Sequence, residues 1–150
     1  MKKLFFLVAV IFAGYWYLGG QNTPIADKFS HAVSTQSQSG EDAEIADAFS
    51  KHKSNVQVSG EGVVARLLPD DNVGSKHQKF IVSLRSGQTL LIAHNIDIAA
   101  RISSLREGDS IQFSGQYEWN EKGGVIHWTH RDPNGSHVAG WLKHNGHIYQ

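Results

Sequence analysis

From Val56 onward, short runs of alternating apolar and polar residues are cut at close intervals by turn-forming clusters. These are Pro69-Asp70-Asp71-Asn72-Val73-Gly74-Ser75, Ser86-Gly87, Arg106-Glu107-Gly108-Asp109 and Asn120-Glu121-Lys122-Gly123-Gly124. No other feature limits the fold as much. A run this short cannot bury a face alone, and strict alternation describes a strand with one side in the core. The chain must therefore pair many short strands edge to edge. The composition agrees, with 15 glycines and only 19% charged residues.

Five strands are expected. The first is Val56 to Leu68, where Gly60 and Gly62 mark a bend or bulge. The second is Gln78 to Leu84, with Phe80, Val82 and Leu84 on one face. A hairpin at Ser86-Gly87 leads to the third, Thr89 to His94. Asp97 to Leu105 reads as a short helix with Ile98, Ile102 and Leu105 on one side. The fourth strand is Ser110 to Trp119 and the fifth Val125 to His130. Three strands, a helix, then two strands is the order of an OB-like barrel, a small closed sheet that binds ligands on its second and third strands and in two flanking loops. One strand must curve to serve both halves of such a barrel, which suits the glycines of the first. The fold class is mainly β: a five-stranded OB-like barrel with one inter-strand helix, preceded by a hydrophobic segment and a short helix. An open sandwich of the same strands is the alternative.

Ahead of the barrel, Met1-Lys2-Lys3 precedes an apolar run from Leu4 to Leu18, closed by Gly19-Gly20. A positive start and an apolar stretch of this length describe an export signal, either cleaved or kept as a membrane anchor through residues 4–18. Tyr15, Trp16 and Tyr17 would then sit at the membrane interface. The expected location is the periplasm, or the inner membrane facing the periplasm. Residues 21–40 are polar and small and read as a linker. The remaining 41–150 form the domain, led by a helix from Glu41 to Lys53 with Ile45, Ala48, Phe49 and His52 on one stripe. With no cysteine, disulfides, thiolate chemistry and a lipid-modified cysteine are excluded.

From Gly60 to Gln150 several segments carry a resemblance. They include Leu67-Leu68-Pro69-Asp70-Asp71-Asn72, His77-Gln78-Lys79-Phe80, Ala93-His94-Asn95-Ile96-Asp97, Tyr117-Glu118-Trp119-Asn120-Glu121-Lys122-Gly123-Gly124 and Val125-Ile126-His127-Trp128-Thr129-His130. Trp141 with His144-Asn145-Gly146 completes it. On these the chain resembles a bacterial family catalogued as a domain of unknown function, which implies no activity. More loosely it is similar to exported bacterial OB-fold proteins and to the anchored periplasmic haem chaperone of cytochrome maturation. That chaperone has a tail histidine and tyrosine at fixed spacing; here His144 and His147 sit differently from Tyr149.

Of nine histidines, five (His127, His130, His137, His144 and His147) fall within residues 124–150. Imidazole is the commonest metal ligand. On a strand, however, His127 and His130 point to opposite faces, so they share an ion only if the strand is bulged or ends early. The metal reading therefore uses His94, His130, Asp132 and His137 around a divalent ion such as zinc. His144-Asn145-Gly146-His147 is only weakly similar to the His-Asn-His order of some nucleases. The ligand-binding reading uses Lys76, His77, Lys79, Trp119 and Trp128, with Arg85 and Tyr117 nearby. Basic groups there face a ligand, and aromatics stack on it. Equal totals of 14 basic and 14 acidic residues disfavour nucleic acid. No serine elbow or phosphate loop is present. The leading reading is a non-catalytic exported binding module without a resident cofactor, whose partner is a ligand or an envelope protein. A metal-dependent hydrolase, such as a nuclease, is the alternative.

Overall fold

The computed structural model describes residues 40–150. The expected signal or anchor and most of the expected linker lie outside these residues. The domain opens on helix α1, residues 40–50, followed by seven strands. These are β1 (Val56–Leu67), β2 (His77–Ser83), β3 (Thr89–Asn95), β4 (Ser110–Glu118), β5 (Val125–His127), β6 (Trp141–His144) and β7 (His147–Tyr149).

The strand order is β1-β2-β3-β5-β4, and β1 also pairs with β4, so these five close into an OB-like barrel. All neighbours are antiparallel except β3 with β5. β1 closes the ring by dividing its length. Val56 to Val63 pair with β4, and Val63 to Leu67 pair with β2, across a register shift between Val64 and Arg66. Gly62 sits at that handover. A Cβ there would collide with the Val82 side chain and stand 2.6 Å from the Ser83 carbonyl oxygen.

The core is built by alternation. Val58, Val64, Phe80, Val82, Leu90, Ile92, Ile111, Phe113, Tyr117 and Ile126 all turn inward and are buried. Ile45 and Ala48 of α1 are buried against them. The helix ends earlier than expected. His52 takes a left-handed φ of 52°, and Lys53 N–H donates to Ala48 O at 2.9 Å, which is a Schellman ending. His52 thereby leaves the apolar stripe, and its ring lies 4.2 Å from that of Trp119.

Three further expectations are corrected. Residues 97–105 form successive turns, not a helix. The Gln78 side chain explains why. Its amide donates to Ile102 O at 3.0 Å and its oxygen accepts Ile102 N–H at 2.9 Å. That satisfies both backbone groups without helical bonds. Ile102 and Leu105 are buried, but Ile98 faces out at 45% exposure, so the three do not share a side. β5 ends at His127, three residues earlier than expected. Finally, the tail is ordered into a hairpin, β6–β7, laid on β4 through Gln112, Phe113 and Ser114. Its turn is Asn145-Gly146, with φ of 49° and 80°, the pair of left-handed residues that a two-residue hairpin turn demands.

Gly62→Ala is expected to destabilise the domain by about 1–3 kcal/mol, because the overpacked atoms include backbone that cannot swing aside. Urea unfolding measures this. A variant as stable as the parent would show that β1 does not press so closely on β2.

Candidate functional site

The outer faces of β2 and β3 are in direct register: His77 faces Asn95, and Lys79 faces Ala93. On its other side β3 meets β5 only at Leu91 and Ile92. Beyond Ile92 the two strands part, and Ala93 contributes only a methyl group to the floor of the gap. Two adjoining clefts result, of about 310 and 180 Å³, which share His77, Ala93 and His127. Asp71, Lys79, Glu118 and Val125 line the larger. Ser75, Asn95, Ile98, Trp128 and His130 line the smaller. Together they make one groove across the β2–β3–β5 face.

Alternation alone would send His127 and His130 to opposite sides of the sheet. Both border the groove because β5 stops and Trp128 adopts a left-handed φ of 54°. That conformation costs a non-glycine residue about 1–2 kcal/mol. Packing offsets it. The Trp128 ring lies flat on His137, 4.1 Å between centroids and 4° between planes, and tilts against His130 at 5.5 Å. Gly140 N–H donates to His130 O at 3.0 Å and ties the returning chain beside it.

The groove is polar and carries both charges. Lys79 Nζ stands 3.8 Å from Asp71 Oδ2. His127 Nε2 is 3.5 Å from Glu118 Oε1, an ion-pair separation too long for a well-formed hydrogen bond. Burial works against ionisation of Glu118, but its contacts with Gln116, Ser54 and His127 together outweigh it and hold the carboxyl below its usual range. His77 Nδ1 lies 2.7 Å from Ser75 O, and His130 Nδ1 lies 2.7 Å from Arg131 O. A carbonyl only accepts, so both of these nitrogens carry the proton.

The residues of the metal reading are placed differently. His94 is fully buried and both its nitrogens are engaged. Nε2 donates to Ala100 O at 3.2 Å, and Nδ1, 2.8 Å from Thr129 Oγ1, accepts the hydroxyl proton. Asp132 accepts the backbone N–H groups of Asn134, Ser136 and His137 and the Ser136 hydroxyl. These bonds, that of Asn134 first, pull its pKa to about 2. His137 is stacked on Trp128, with a buried Nδ1 that finds no partner. Among the described residues no three histidine or acidic side chains form a ready-made metal cluster.

Of the ligand-binding set, His77, Lys79 and Trp128 border the groove. Lys76 pairs outside it with Asp97 at 3.9 Å, and Trp119 packs on the core beside His52. Tyr117 is core, its hydroxyl donating to Gly123 O at 3.2 Å. Sequence reasoning missed Ala93, Glu118 and the part played by His127. Ala93 and Glu118 carry no ligand-binding signal of their own and matter only through register. His127 needed the end of β5 to be known.

A family model described as a protein of unknown function (DUF3465) matches residues 28–150. No curated protein matches the chain.

Burial lowers the pKa of His94 from 6.5 to about 4, with the bond to Ala100 opposing it only in part. The unfolded chain takes up this proton near the ordinary value and the folded chain only near the lowered one. Stability therefore falls as pH drops between the two and levels off below, by roughly 3 kcal/mol at most. Urea unfolding across that window should show the slope, and His94→Gln, which cannot ionise, should lose this share of it. Parallel profiles for the two proteins would show that His94 is not the acid-sensitive group.

Proposed function

The chain belongs to the DUF3465 family, and from that premise we propose that it is a non-catalytic binding module, exported to the cell envelope, which holds a small ligand in the groove over Ala93. The observation that carries this reading is the pair of clefts sharing one small floor residue and edged by His77, Lys79, Glu118 and His127. A concave site with a few convergent polar groups is where a small barrel takes a ligand. Export rests on Lys2-Lys3 and the apolar run Leu4 to Leu18.

The metal-hydrolase alternative on His94, His130, Asp132 and His137 has less support. A general base needs a free nitrogen, and both of those on His94 are bonded. The oxygens of Asp132 are taken up by its own loop. Equal numbers of basic and acidic residues also leave nucleic acid disfavoured as the partner.

Ala93→Phe fills the floor of both clefts from the outer face and should alter stability by no more than about 0.5 kcal/mol. A fragment library screened by amide chemical shifts should perturb His77, Lys79, Ala93, Glu118 and His127 in the parent and lose those shifts in the variant. Hits spread evenly, or gathered instead on the cleft formed by Glu61, Gln112 and Lys143, would rule the reading out.

A further inference from the structure

We propose that His77, His127 and His130 are the ligands of a divalent transition-metal ion of the zinc type, with Glu118 as a positioning residue for His127. This inference rests on the reading of the groove as the ligand-binding face, and names what that face takes.

A neutral imidazole coordinates through one nitrogen. In protein metal sites its other N–H is bound to a carbonyl or carboxylate, which fixes the tautomer and aims the ring. Two of the three imidazoles lining the smaller cleft have such a partner, and the third faces a carboxylate. His77 Nδ1 is held by Ser75 O and His130 Nδ1 by Arg131 O, both at 2.7 Å. His127 Nε2 is buried without a hydrogen-bond partner and faces the Glu118 carboxylate at 3.5 Å. The lone pairs that remain are Nε2 of His77, Nε2 of His130 and Nδ1 of His127. The same criterion separates these rings from His94, which has no lone pair to offer because both its nitrogens are bonded.

Trp128 is what makes the set. Its left-handed backbone brings His127 and His130 to one cleft, beside His77 from β2. The cleft of about 180 Å³ has room for an ion and a further small donor. The three rings line it without meeting at one point, so binding an ion requires the cleft to close on it. His77 at the start of β2 and His127 at the end of β5 are both only partly buried. Three imidazoles without a thiolate suit zinc, copper or nickel, and leave a fourth position open for a ligand.

The test is calorimetric titration of the untagged full-length chain with zinc chloride. One equivalent of zinc should bind. His77→Ala and His127→Ala should each weaken binding by at least about tenfold, and Glu118→Gln by roughly ten- to a hundredfold while leaving the site in place. His147→Ala, on the exposed tail hairpin, should change nothing. Copper(II) loaded instead should show imidazole nitrogen couplings by electron paramagnetic resonance that diminish in His77→Ala and His127→Ala. No zinc uptake, or uptake indifferent to both of these alanine variants, overturns the proposal. Failure of zinc while fragments still gather over Ala93 overturns the metal alone; failure of both overturns the groove as well.

Discussion

Closure of the barrel hangs on one strand that must belong to two neighbours at once. β1 runs along β4 for its first half and along β2 for its second, and a strand with ordinary side chains at the handover would hold the two apart. Gly62 removes the obstacle where Val82 and Ser83 press in, and Gly60 does so where a Cβ would come within 2.8 Å of Phe113. The register shift after Val64 then turns the strand onto its second partner. With the ring closed, the inward residues of every strand meet in one core.

The groove follows from how the ring is completed on its far side. β5 is only three residues long and parallel to β3, so it covers β3 at two positions and then departs. What would have been continuous sheet becomes a gap with Ala93 at its base. The departure is enforced by Trp128, whose backbone strain is sustained by stacking on His137 and by the chain returning through Gly140. Strain held in place by surrounding packing is commonly found beside a site that needs a particular arrangement of side chains. Here it sets an aromatic ring and two imidazoles along one wall.

The histidines of this domain are chemically unlike one another, and their differences come from their partners. His94 is a neutral structural link between the turns after β3 and the segment after β5, its pKa driven down by burial. His144 is buried in the tail hairpin with Nε2 2.8 Å from Asp109 Oδ2, joining that hairpin to the turn before β4. His137 supports Trp128 from behind. Those bordering the groove keep one nitrogen turned to an oxygen and the other unassigned, which is the condition for meeting something from outside.

Much of the fold was legible in the residues themselves. Phe80, Val82, Ile111 and Phe113 declared their strands by period, and Gly60 with Gly62 declared the bend in β1, because alternation and glycine are local signals with local causes. The tail hairpin was not among the five expected strands, although Asn145-Gly146 is a local turn signal for it. The turns at 97–105 were not legible, since a distant side chain, Gln78, decided them. The sequence by itself determined β1 to β4, the face each turns to the core and the turn at Ser86-Gly87. Only the tertiary structure decided which imidazoles would share a cleft, because that depended on one residue leaving the strand conformation and on register between β2, β3 and β5, and neither is written in any short stretch of chain.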